Sequence, residues 1–298
     1  MTNYETILNN FENVYENNYQ TFHKNDIWRI LALILLTIIE CTIIFFAYKF
    51  FSGLTEFRSA HFKILCFIIV SVFGIWTFIQ KWVEYSIKDC VMDSFLGNFG
   101  NLSWTTDDLV DSDFIKNTKI FPNFGKSNFG TIDNIGGVYN DTNLILSKLA
   151  ITGGSLWCPQ KIFHGLAVVL ELKKNIDCEI IIVERDFIIF PNLEEVKLED
   201  PEWISSFKVY SDNQIESRYF LTTSLMEKIK TIKKSYDAKR IGLSIKDNIL
   251  TIAIDADERI FETCSLIRPI SDKHAWKRMY FQILSVLQLS DLFNKTVL

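Results

Sequence analysis

The sequence predicts an α+β protein: a two-helix transmembrane hairpin, then a single α+β domain with a largely antiparallel sheet and a C-terminal amphipathic helix. Three observations predict it. Two long apolar runs, Ile30–Tyr48 and Ile64–Ile79, lie close together near the N-terminus. Beyond residue 140 the apolar period shortens to the alternation of strands. Near the end, Trp276, Tyr280, Ile283 and Leu287 fall on one helical stripe. The expected parts are a polar, amphipathic segment (1–29), the hairpin (30–81) and the α+β domain (82–298).

In the N-terminal segment, Ile7, Phe11 and Val14 at helical spacing predict a short amphipathic helix before the membrane. Ile30–Tyr48 carries one charge and, as a helix, spans roughly 28 Å, close to the ~30 Å hydrocarbon core. The second run, 64–79, is uncharged and shorter; Lys63 and Lys81 lengthen it by snorkelling. Trp28, Tyr48, Trp82 and Tyr85 stand where interfacial aromatics belong. The first run starts too late, and is too long, for a cleaved signal peptide. A hairpin leaves both termini on one side. Lys24, Arg29, Lys81 and Lys88 flank it outside, against Lys49, Arg58 and Lys63 in the loop, which places the termini in the cytoplasm. Six cysteines without a CxxC agree with a reducing compartment. Glu40 lies near the middle of the first span, at a depth matching Ser71 of the second. Two readings stand for this polar pair: a protonated Glu40 hydrogen-bonded to Ser71 or Thr37, or an ion or proton path in an oligomer.

After the spans, TDDL at Thr106 supplies a helix cap with first-turn acids, and the Gly- and Asn-rich 121–137 reads as loop. Strands follow at 144–152, 166–172 and 178–184. IIIV at 180–183 lacks alternation, which predicts a central strand covered on both faces. Alternating Ile241, Leu243 and Ile245, the turn Asp247-Asn248, then Leu250, Ile252 and Ile254 predict a hairpin. Residues 261–265 add a further strand, and helices are expected on one face of the sheet.

Recognisable chemistry is sparse. A net charge of −5 argues against a nucleic-acid partner. Phe124–Ser127 ends like a phosphate loop, but Ile120 stands where its first glycine is required. Asp255-Ala-Asp257 opens like a calcium loop, yet Arg259 takes the next ligand position. The four histidines are scattered, and no catalytic serine motif is present, so no metal, cofactor or catalytic residue is assigned. One basic stretch remains: Lys228, Lys230, Lys233, Lys234, Lys239 and Arg240. Lysines late in a helix suit its dipole; the sharper reading is a patch facing anionic lipid.

LEDPEWISSFKVYSDNQIESRYFLTTSLMEKI is dense in helix starts. Asp200-Pro201 is an N-cap with proline at N1, and Ser211-x-x-Gln214 and Ser224-x-x-Glu227 read as capping boxes. Arg218 and Tyr219 are left over; with Glu199 and Asp200 they form a candidate ligand-binding or structural polar cluster. This block resembles the hallmark segment of a bacterial membrane-protein family known only as domain of unknown function 3137. The resemblance extends to the two apolar helices, to FHGLAVVLEL (Phe163–Leu172) and to IAIDADERIFE. Trp203 replaces an expected Phe, and Ser217 an expected Ala. It implies membrane topology but hands over no catalytic residues. The expected function is a membrane-anchored cytoplasmic interaction or scaffold module whose partners are the lipid bilayer and a membrane or cytoplasmic protein. The alternatives are a membrane-bound hydrolytic enzyme using acids such as Glu199, Asp200 or Glu216, and a small transport or channel subunit using Glu40.

Overall fold

The computed structural model describes residues 4–52, 58–121, 128–155, 158–173, 175–185, 193–256, 259–265 and 268–295. The chain divides into two compact units: Met1–Val91 with Thr263–Trp276, and Met92–Glu262 with Lys277–Leu298.

The first unit is built on two long helices, α1 (Tyr4–Ser52) and α2 (Arg58–Leu96). At 1.5 Å per residue α1 is roughly 70 Å long, more than twice a bilayer core. The short N-terminal helix expected as a separate element is therefore continuous with the first apolar run. No Gly or Pro interrupts it. Among the described residues one helix, Glu5–Phe46, is long and apolar enough to cross a membrane; its apolar window has a mean hydropathy of 2.4 and is 6% buried. The second apolar run, 64–79, falls within α2, which is not among the spans that meet this condition. The lower part of α1 has a different face. Phe11, Tyr15, Phe22, Asp26 and Arg29 are buried at helical spacing, where the segment 263–276 packs on them. Phe22 stacks on Trp276 at 4.7 Å between ring centres, and the Tyr15 hydroxyl donates to the Ser271 carbonyl.

Among the described residues the second unit holds a nine-stranded antiparallel sheet. Its strands are β1 (Asn101–Thr105), β2 (Asn128–Tyr139), β3 (Thr142–Ser155), β4 (Cys158–Glu171), β5 (Ile180–Glu184), β6 (Glu194–Glu195), β7 (Phe207–Ser211), β8 (Arg240–Lys246) and β9 (Ile249–Asp255), in the order β1-β2-β3-β4-β9-β8-β5-β7-β6. As IIIV predicts, β5 is buried along its whole length between β8 and β7. The β8–β9 hairpin turns through Asp247 and Asn248 at φ +51° and +62°, the two left-handed residues of a type I′ turn. One face carries Leu166, Val168, Leu243, Ile252 and Glu184 in register across strands. There it meets α6 (Thr223–Ser235) through Lys233–Glu184 and α7 (Lys273–Lys295) through the Tyr139–Asp291 hydrogen bond. The opposite face packs Leu149, Ile151, Phe163, Ala167, Ile181, Val183 and Ala253 against Val110, Ile115, Ile120 and Phe121. Helices thus stand on both faces, not one: α3 (Ser112–Asn117) carries Ile115 into this second core.

Three other local expectations are corrected. The helix expected at Thr106 starts later, because Asp111 caps α3 by accepting from the Asp113 N–H. Most of 121–137 is not loop, because β2 runs from Asn128 through its glycines. Gly137, at φ +148°, lies so close to β1 that any Cβ would clash with the Asn101 carbonyl. Residues 261–265 form a turn and coil rather than a strand, since Phe261 adopts φ +57° and the Arg278 guanidinium takes the Glu262 carbonyl.

Candidate functional site

The acid- and hydroxyl-rich segment folds as three short elements around β7. Asp200 caps α4 (Pro201–Ser206), accepting from the Glu202 and Trp203 N–H groups at 2.9 and 3.2 Å, with Pro201 at the first position. The other two caps fall elsewhere than expected. Asn213, not Ser211, caps α5 (Gln214–Phe220); Ser211 is buried at the end of β7, where its hydroxyl accepts from the Asn213 N–H. Thr222, not Ser224, caps α6.

The two departures from the family pattern are both buried. Ser217 is enclosed and donates to the Gln214 carbonyl, so only a small side chain fits. Trp203 is fully buried and stacked on Phe207 at 4.2 Å, and among the described residues its indole N–H has no acceptor. Trp203→Phe removes that unmet donor while keeping the stack. Its expected cost in thermal denaturation is under ~1.5 kcal/mol, against ~3–5 kcal/mol for Trp203→Ala.

Among the described residues no hydrogen bond or ion pair joins Glu199, Asp200, Arg218 and Tyr219 to one another. Asp200 is spent on its cap and Glu199 points to solvent. On α5, Ile215 and Tyr219 are 72% and 81% exposed one turn apart, with Arg218 beside them. Among the described residues the Arg218 side chain has no hydrogen-bonding or ionic partner. The surface is therefore apolar, aromatic and cationic.

The basic stretch is largely committed to pairs. Lys230 bridges Glu202 at 2.8 Å and Glu227 at 3.5 Å, and the Glu202 hydrogen bond raises its pKa. Lys233 holds Glu184 at 2.7 Å, whose other carboxylate oxygen accepts from the Ile241 N–H. These pairs line a groove of about 490 Å³ between α4, α6 and the end of β5. Lys228 donates to Gln288, and Arg240 clamps Asp255 through two nitrogens. Lys234 and Lys239 are the members of the stretch left exposed without a side-chain partner among the described residues.

In the apolar part of the first unit, the Glu40 carboxylate accepts from the Trp76 indole N–H at 3.1 Å, linking α1 to α2. The Thr37 hydroxyl turns back to its own helix, at the Leu33 and Ile34 carbonyls. Ser71 is half-buried on α2.

Among the described residues no group of three His, Cys, Asp or Glu side chains could hold a metal. The phosphate-loop-like 124–127 lies outside the described residues. Of the calcium-loop-like Asp255-Ala-Asp257, Asp255 is held by Arg240 and Asp257 also lies outside them. Cys178 is buried, and desolvation, with the Glu216 and Asp212 charges adding to it, pushes its thiol up to about 12. Thiolate is the reactive form. At pH 8, maleimide labelling followed by peptide mass spectrometry is therefore expected to modify the exposed Cys90 and to spare Cys178 until the chain is denatured.

Comparison with known proteins places one part of this architecture. Neither the curated proteins nor the solved structures contain a match to the chain. A family model described as a protein of unknown function (DUF3137) matches residues 161–295, from within β4 to the end of α7. The match is narrower than the resemblance read from the sequence, since α1, α2 and β1–β3 lie outside it. Residues 161–295 are thus similar to the protein family of unknown function DUF3137.

Proposed function

We propose that the chain is a membrane-anchored interaction module: a two-helix hairpin fixes it in the bilayer, and its sheet-bearing unit, in the cytoplasm, presents the outer face of α5 to a protein partner. The observation that carries this reading is the Ile215–Arg218–Tyr219 surface. Large apolar and aromatic groups at that exposure, beside a guanidinium with no partner among the described residues, have the composition of protein-binding hot spots. The hairpin is supported by the Glu40–Trp76 hydrogen bond, which joins the two apolar runs. Orientation is supported by the flanking lysines and arginines. A hydrolytic site on Glu199 or Asp200 gains no support, because one is solvated and the other caps α4. The test is a photo-crosslinking amino acid at position 219 in native membranes. A discrete crosslinked species, lost on Arg218→Glu, is expected; a pattern no different from that of a probe at the exposed Lys116 position contradicts the proposal.

A further inference from the structure

A second site lies on the opposite face of the sheet, remote in sequence from α5. Ser244 on β8 and Thr251 on β9 are directly opposed in register. They share a face with Gly242 and Ala253, which pack on the Ile120 core. Apolar residues would continue that core; hydroxyls stand there instead. Both residues are only 2% exposed, and neither side chain has a hydrogen-bonding partner among the described residues. Their oxygens are not among the fully enclosed, unpartnered atoms, so they open onto the cleft that both residues line, where a ligand can meet them.

Both hydroxyl residues line a cleft of about 380 Å³ between α3 and the β8–β9 hairpin, a size within the range of small-molecule sites. Phe114 supplies an aromatic surface, and Asn117 an amide with both donor and acceptor. Lys246 and Asp247 stand adjacent at the rim, so their charges cancel. Thr118 is not available, since its hydroxyl donates to the Ile115 carbonyl. The rim is also preorganised. The hairpin tip is fixed by its type I′ geometry and by the Ile176 N–H, which donates to the Asn248 side chain at 2.7 Å.

We propose that this cleft binds a neutral, hydroxyl-rich small molecule of the monosaccharide or cyclitol class. The floor hydroxyls each give and take a hydrogen bond, as sugar hydroxyls do, and the C–H face of the ring lies on Phe114. A rim without net charge selects against phosphate and simple carboxylates.

The full chain, purified in a detergent without a sugar headgroup, is titrated with glucose, galactose, mannose and myo-inositol, followed by saturation-transfer NMR and calorimetry. Inorganic phosphate serves as the charged comparator. Saturable binding of at least one neutral ring is expected, weakened about ten-fold or more by Ser244→Ala or Thr251→Val, the loss of one good hydrogen bond. The unliganded variants are expected to melt no lower than the native chain, because each loses only an unpartnered hydroxyl. Asn117→Ala, at the exposed rim, provides a second weakening variant that leaves the floor intact. Absence of saturable binding by all four rings overturns the proposal, as does binding unaffected by all three variants or binding of phosphate alone.

Discussion

Gly165→Ala is expected to unfold the sheet, although it adds a single methyl group. Gly165 sits in β4 opposite Asp255 of β9, in the middle of the nine strands. A Cβ at this position would lie inside the contact distance of the Ile254 carbonyl oxygen and against the Asp255 Cα. Both obstacles are backbone of the paired strand, so no rotamer change relieves them. The strands must separate locally, which breaks ladder hydrogen bonds and opens the core around Leu166 and Ala167. The expected loss is on the order of 4 kcal/mol, at the extreme of single substitutions. Denaturation of the detergent-solubilised chain measures it. Gly130→Ala, where an added Cβ meets nothing within 4 Å, is the matched comparison and is expected to shift the transition little.

The second large effect is expected in the first unit, at Asp26. This carboxylate, 5% exposed, accepts from the Ile270 N–H at 2.7 Å, the Ser271 N–H at 2.8 Å and the Ser271 hydroxyl at 2.6 Å. One turn on, the Arg29 guanidinium donates to the Arg268 carbonyl at 3.0 Å. Asp26→Ala leaves two backbone N–H groups without an acceptor, at ~1–3 kcal/mol each when buried. Hydrogen exchange is the sensitive readout: protection of 268–272 is expected to fall by at least ten-fold, while the β8–β9 hairpin keeps its own. Asp26→Asn retains an acceptor oxygen and is expected to lose less. Unchanged protection of 268–272 in Asp26→Ala would show that the clasp contributes nothing to holding the segment.

Asp26 also marks where the sequence is hard to read. The Asp200-Pro201 cap, the buried IIIV strand and the Asp247-Asn248 turn were legible because each rests on neighbours in the chain. Asp26 is one acid in a polar helical stretch, and its partners are more than 240 residues away in sequence. Strand β2 was hidden for another reason. Gly130, Gly136, Gly137 and Asn134 have the composition of turns, and only pairing to β1 and β3 makes them extended. A local signal was available at its end: Asn140-Asp141, at φ +47° and +59°, forms the same two-residue turn that identifies β8–β9. The displaced caps show competition among adjacent candidates. Leu221-Thr-Thr-Ser offers three hydroxyls in succession, and which one caps depends on where β7 and α5 leave the chain. Among the site residues, exposure was the illegible property. Arg218 and Tyr219 stood out by type, whereas nothing local marks Ile215, which completes their surface. The Ser244–Thr251 pair was invisible because strand alternation places polar residues where solvent is expected, and here that face is a covered one.

The central claim of the proposed function is a bilayer hairpin that holds the sheet-bearing unit in the cytoplasm. It is tested most directly by paired topology reporters, one fused after Leu298 and one inserted at residue 55, between the two apolar runs. The account predicts that a cytoplasm-active reporter works at Leu298 and an export-dependent one works at residue 55. Activity of the export-dependent reporter at Leu298 would contradict it.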